Sequence, residues 1–555
     1  MKIIQAQFDQ GLALGPPPDS IVDGYLVRSR GLNPLSIGSF RSRFGSSALA
    51  SLDAHSIFYF ANTYYYGVST TLYKTATSIK TGLAGDRISF AKMPPIAGLA
   101  DYLFAVEGSA PFKVNSAAAV SNWGFDAPAS DPVATEAAGG SLADAVWSYQ
   151  ISYYNSTTGH RSNGNGTTVT ATTSAANNTV ELTSIPDGSL IDSQISHVEI
   201  WRSVADGNAL FLLDRITTGT LAYTDDDSET LSSIELPTDN LKPSLTFFNC
   251  LGPHNASMFW LNSASGTHGR VYYSPIGRAE SVEGWVNVCS DDAPLTKLFR
   301  FQGQLGAIGE GGIYVIGGGN PYVSREISGC PGTITPHPVV VIPTMGVIYE
   351  ASDGIRIFNG VTSDLITPGA VSRLFRGESA GDLTSFTGTV AAFCRGEYFI
   401  SDGTQTLAFE PKSKRWRDLG VGMEAIYYNE ETTPSTIAAN ISNAVLDFED
   451  QTATDDAGTD ISISIEPPHI TFNDNIERVL QHIIIDINTN GEQITASLLH
   501  DDSTTTIGVL QHTTRSRETI AIGITGQEFG IVLTGEISEE IELFKILYVF
   551  NDLGE

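Results

Sequence analysis

The residues of this chain able to do chemistry are its carboxylates, its histidines and its four cysteines, and none falls into a spacing that names a reaction. There are 62 Asp and Glu side chains, too many for position alone to single out a pair that would act as acid and base on a glycosidic bond. The ten histidines contain no H-E-x-x-H, the spacing that sets two imidazoles on one helix face around zinc. His254 and His268 stand too far apart in sequence to argue for a ligand pair. Cys250, Cys289, Cys330 and Cys394 include no C-x-x-C, so buried free thiols are expected rather than a zinc ribbon or a redox motif. Gly317-Gly318-Gly319-Asn320-Pro321 lacks the Lys-Ser/Thr of a phosphate loop and reads as a hairpin turn. Asp225-Asp226-Asp227 offers oxygens to calcium, but the Gly and terminal Glu of a calcium loop do not follow, which leaves a capped turn. Tyr64, Tyr65 and Tyr66 have rings suited to stacking on sugars, yet as strand residues they read as core and flank. No catalytic residue, metal site or cofactor is expected.

Strands, not helices, must position whatever site exists. No segment sustains apolar residues at helical spacing, and Gly and Pro, 54 and 25 in number, punctuate short apolar runs. One phrase occurs twice. Tyr349 to Phe358 carries Ser352-Asp353-Gly354, and Tyr398 to Phe409 carries Ser401-Asp402-Gly403, with the two Asp-Gly turns 49 positions apart. Each turn joins two alternating runs, the signature of a β-hairpin. A hairpin recurring every 40–50 residues or so is what a β-propeller blade leaves in a sequence. The turns are similar to the aspartate boxes of sialidase propellers but lack the following Thr-Trp. Asp353, Gly354, Asp402 and Gly403 are therefore expected to be structural, with Asp accepting local backbone bonds and Gly taking positive φ.

The expected organisation is all-β, with a six- or seven-bladed propeller-like core, an inserted fibronectin III-like sandwich and a C-terminal sandwich. Residues 1–45 read as an extended basic arm, in which Gly15-Pro16-Pro17-Pro18 fits neither helix nor central strand. Residues 46–126 supply the first blades. Residues 127–244 form the insert, entered through a segment rich in Ala, Pro and Gly. Its run Val146 to Tyr154 alternates, so one face should be buried. Residues 245–450 resume the blades, and 451–555 make an acidic second sandwich.

The net charge of −31 disfavours binding to nucleic acid or anionic membrane and favours solubility. It is uneven: through Phe125 ten basic residues meet seven acidic ones, so the acidity belongs to the rest. Within the arm, Arg28, Arg30, Arg41 and Arg43 form a basic segment, read either as plain surface or as a docking segment for an acidic neighbour. The N-terminal apolar stretch is too short for a secretory signal, and no apolar run approaches the ~20 residues of a membrane helix. Synthesis in the cytoplasm and a soluble product are expected.

The order of parts carries a resemblance. The arm holds Arg30-Gly31-Leu32-Asn33-Pro34 and Arg43-Phe44-Gly45, the insert holds Val198-Glu199-Ile200-Trp201-Arg202 and Tyr223-Thr224-Asp225, and later blades hold Gly354 to Gly360 and Phe409 to Trp416. This resembles the tail nozzle (tail hub, tail tube B) proteins of short-tailed bacteriophages, including phage stabilisation proteins. The resemblance implies a non-enzymatic virion protein, six copies around the tail axis, and attachment to an adaptor of the head-tail connector. It further implies fibres or spikes docked outside, and viral DNA passing through without specific binding during ejection. On that implication the arginines of the arm would dock the adaptor. The rival classes are a carbohydrate-binding or carbohydrate-cleaving propeller, which needs carboxylates at the mouth of the ring, and a cell-surface adhesin.

Overall fold

In the computed structural model, the described residues are 2–6, 11–12, 25–35, 39–333, 335, 337–367, 371, 373–379, 383–472, 477–501 and 503–552. Gly15 to Pro18 lie outside them. The fold is all-β: strands fill several separate sheets, and the described residues include no α-helix.

Among the described residues seven groups of four antiparallel strands follow one another, the first six of them simple meanders. The first runs from Ser56–Phe60 to Thr77–Thr81, and the second from Ser89–Met93 to Val120–Asn122. The third spans Phe247–His254 to Gly284–Asn287, and the fourth Leu295–Phe301 to Tyr322–Glu326. The fifth spans Val340–Ile342 to Ser363–Leu365, and the sixth Val390–Cys394 to Arg415–Asp418. The seventh has only three strands from its own stretch, Ala425–Asn429 to Ala444–Phe448. Its fourth, Ser46–Ala50, comes from before the first group and pairs antiparallel with Ala444–Phe448. The seventh group is thus stitched to the start of the chain.

First strands of neighbouring groups touch from the second group through to the seventh, and the seventh touches the first. Between the first and second, Phe60, Tyr65, Leu72, Leu103 and Phe112 share one apolar core, and the Ile88 N–H donates to Ser56 Oγ at 2.9 Å. Similar cores fill the other junctions, such as Trp123 with Trp260 and Phe247 between the second and third groups. Burying such rings supplies the main favourable term for a fold with little local structure of its own.

Between the second and third groups the chain leaves to build two sheets over a common core. Val133–Ala137, Thr179–Thr183 and Tyr223–Asp225 make one, and Val146–Tyr154 is central in the other. The alternation in Val146–Tyr154 does not leave one face open. Ser148 and Ser152 on its polar side are buried too; beside Ser152 stands Glu199, fully enclosed, which gathers Arg161 at 3.0 Å and Arg215 at 2.9 Å. Ser152 Oγ donates to the same carboxylate.

After Phe448 two larger sheets share another core, in which Ile483, Ile485, Tyr548 and Phe550 meet Ile531 and Leu533. The N-terminal segment is part of this unit. Lys2–Gln5 pairs with Glu542–Asp552, and Arg28–Arg30 pairs with Ile461–Glu466. Arg28–Arg30 also bridges to Asp418 of the sixth group, which joins the two regions through one continuous sheet. No helix among the described residues is long and apolar enough to cross a membrane.

Candidate functional site

The first strands of the groups converge on one cavity of about 420 Å³. His55 stands just before Ser56–Phe60, and Arg87 just before Ser89–Met93. Asn249 and Lys297 lie within the first strands of the third and fourth groups, and His337 precedes that of the fifth. A second cavity of about 160 Å³ shares His55, Arg87, Lys297 and His337 and adds Val390, Ala391, Ala425 and Ile426 from the sixth and seventh. Every group therefore contributes a wall.

Most polar side chains in this wall are already committed. His55 Nε2 donates to the Ser69 carbonyl at 3.0 Å, which leaves Nδ1 to accept from the Ser56 hydroxyl at 2.9 Å. Burial lowers the His55 pKa and Arg87 adds to the effect, while its bond to Ser69 opposes them. Asn249 accepts from the Leu298 N–H at 3.0 Å and donates to Ser89 Oγ at 3.1 Å. Arg87 donates to the carbonyls of His55, at 3.3 Å, and of Glu424. It so pins the first group to the seventh with its charge unanswered by either oxygen. Glu107, 3 % exposed, accepts from the Ala84 N–H at 2.9 Å and the Ser109 hydroxyl at 2.6 Å on one oxygen, while its other oxygen is buried without a partner among the described residues.

Three groups are not committed. The Lys297 ammonium makes no hydrogen bond or ion pair with any described residue, and burial lowers its pKa with Arg87 pushing the same way. The His337 imidazole has no hydrogen-bond partner among the described residues. Burial, reinforced by Arg87 and Lys297, takes its pKa down to about 3, so at neutral pH it is uncharged and offers one donor and one acceptor. Asp86 lies exposed at the rim. Asp86 and Glu107 are the two acidic residues in the lining, yet no described carboxylate comes within 4.0 Å of Lys297 or Arg87. On this side Arg87 feels the Glu424 carboxylate only at longer range and Lys297 has no ion-pair partner among the described residues, an arrangement that favours an anion once water is displaced.

The candidates read from the sequence lie elsewhere. Asp353 and Gly354 sit in a hairpin between Gly346–Ala351 and Gly354–Phe358. There Arg356 holds the Asp353 carboxylate at 2.7 and 2.9 Å and lowers its pKa. Gly354 has φ +132°, and a Cβ would fall 2.4 Å from Thr367 Oγ1. Asp402 instead accepts from the N–H groups of Thr404 and Gln405, both at 2.8 Å, while Gly403 has φ +94°. One phrase thus makes two different turns, two residues long after Ala351 and four after Ser401.

The four arginines are each met within the chain. Arg28 lies 3.6 Å from Glu466, Arg30 3.2 Å from Asp418 and Arg41 3.8 Å from Glu540. Arg43, buried, forks onto Asp456 and donates to the Leu419 carbonyl at 2.9 Å. All four cysteines are free, and the described residues hold no cluster of three or more metal-ligating side chains.

Sequence reasoning did not find the cavity, because His55, Arg87, Lys297 and His337 come from four different groups. The one local signal was Lys297 in a first strand, Leu295–Phe301, whose apolar residues are Leu295, Leu298, Phe299 and Phe301.

No protein-family model matches the chain. Among solved structures, it is similar to an exo-β-1,3-galactanase from Phanerochaete chrysosporium, at 8 % identity over 76 % of this chain and 100 % of that one, with a TM-score of 0.20. A glycoside hydrolase matches at 8 % identity over 83 % of this chain and 96 % of its own, with a TM-score of 0.15. The extracellular domain of a one-component system from B. thetaiotaomicron matches at 9 % identity over 97 % and 99 %, with a TM-score of 0.15. Likenesses this slight carry no activity over to this chain. They do correct the resemblance drawn from the sequence: the structures named are glycoside hydrolases and an extracellular domain, and no tail protein is among them. The bacteriophage tail nozzle, with its non-enzymatic role and its virion vocabulary, is set aside.

Proposed function

We propose that the seven groups close as a seven-bladed β-propeller, with a fibronectin III-like insert and a C-terminal sandwich, and that the chain binds a small anionic molecule in the cavity where the blades meet. The observation that carries the binding site is Lys297: an ammonium lining a 420 Å³ cavity beside Arg87, with no described partner. A cation held this way costs desolvation energy that no contact within the chain offsets, and a bound anion offsets it. The closed ring is supported by the contacts from each group to the next and by Ser46–Ala50 completing the last. The volume suits a ligand of one or two rings.

This reading belongs with the carbohydrate side of the sequence alternatives. Asp86 and Glu107, both in the lining, match in number the carboxylate pair that glycoside hydrolysis uses, so turnover is sought at the same place. The test is a thermal-shift screen of small carboxylates, phosphates and sulfates, with hydrolysis of anionic aryl glycosides followed in parallel. Stabilisation by anions that vanishes in Lys297→Met supports the site. Equal responses of both proteins to every anion contradict it.

A further inference from the structure

We infer that the anion taken by this cavity is an anionic sugar, its charged group on Lys297 and Arg87 and its hydroxyls on His337 and Asp86. The inference rests on the proposed anion site and adds the class of ligand.

The reason is the second half of the wall. A bare anion answers Lys297 and Arg87 but leaves the accepting ring nitrogen of His337 unanswered. A neutral imidazole has a ring nitrogen that accepts, so its full complement requires a ligand that also donates. Asp86, an acceptor only when ionised, makes the same demand at the rim. An ammonium on the ligand would satisfy Asp86 but would stand in the field of two cations that already suppress protonation of His337. Hydroxyl groups donate without charge. His55 and Asn249, whose bonds are spent inside the chain, are left as rigid wall, so the discriminating contacts fall on His337 and Asp86. The charged group comes from a carboxylate or a phosphate; both fit a lysine–arginine pair.

Calorimetric titration of the full chain with glucuronate, glucose 6-phosphate, glucose, acetate and inorganic phosphate separates these possibilities. Glucuronate or glucose 6-phosphate is expected to bind at least about tenfold more tightly than glucose and than the matching bare anion, and which of the two wins identifies the charged group. His337→Phe should bring the sugar anion down to the level of the bare anion while leaving the bare anion unchanged. Asp86→Asn, at an exposed position where folding is not at risk, should weaken the sugar anion by a smaller factor. Bare anions binding as tightly as sugar anions, or sugar anions indifferent to both substitutions, would overturn the inference and leave the anion site standing. Binding of no anion at all would overturn both.

Discussion

Lys113 and Lys297 are two lysines deep in this molecule with opposite surroundings. Lys113, in Phe112–Val114, is 1 % exposed and reaches Glu280, itself 1 % exposed, and Gln194 Oε1 at 2.7 Å. Gln194 belongs to the insert and donates in turn to the carbonyls of Asn122 and Gly124. The pair therefore clamps the insert onto the second and third groups. Burial alone would raise the Glu280 pKa, but Lys113 and His160 outweigh it and hold the carboxyl ionised. Lys297, half-buried and facing a cavity, has no such partner. A buried charge answered inside the chain builds structure. One left unanswered at a cavity costs stability, and the proposed anion would offset that cost.

The largest effect should come from breaking the answered pair. Lys113→Met strands an enclosed carboxylate and is expected to cost about 3–5 kcal/mol in denaturant unfolding, whereas Lys113→Met with Glu280→Leu should recover most of it. Lys297→Met, in contrast, should not lower stability and should raise it by no more than about 1 kcal/mol, because no internal contact is lost and an unpartnered cation is removed.

Glu350 extends the comparison to an acid. It is 5 % exposed and accepts one bond, from the Gly388 N–H at 2.7 Å, with no cation beside it. Burial raises its pKa to about 7 from the ordinary 4.5. Its folded-state pKa lies above the unfolded one, so the folded state holds the proton longer. Stability is greatest below about pH 4.5 and falls as pH rises to about 7, by roughly 3 kcal/mol at most. Glu350→Gln should flatten that slope, read as denaturation midpoints across the window.

At the smallest scale the two Ser-Asp-Gly turns repeat the contrast. Asp402→Ala leaves the Thr404 and Gln405 N–H groups to solvent and should cost about 1 kcal/mol. Asp353→Ala removes only an exposed pair with Arg356 and should cost about 0.5 kcal/mol or less.

How much of this was legible in the chain follows from range. The hairpins at Asp353 and Asp402 could be read because strand, turn and strand lie within a dozen residues, and the all-β character followed from the same local alternation. The difference between the two turns could not, since it depends on whether the Asp meets Arg356 or the backbone of Thr404. Ser46–Ala50 completing the seventh group, and Arg28–Arg30 joining Ile461–Glu466, link positions about four hundred residues apart that no window sees. The basic segment showed its charge in sequence, but not the carboxylates at 418, 456, 466 and 540 that answer it. The cavity was hidden for the same reason. Its cations and imidazoles are single residues in separate groups, ordinary in their own neighbourhoods and unusual only when the first strands meet. The tail-nozzle resemblance rested on the order of parts, and an order of parts specifies architecture without chemistry.

The most direct test is calorimetric titration of the parent chain and Lys297→Met with glucuronate and with glucose 6-phosphate at neutral pH. The account predicts saturable one-to-one binding of at least one of them by the parent and a loss of about tenfold or more in the variant, with no loss of thermal stability without ligand. Binding that is equal in both proteins, or absent from the parent, would contradict it.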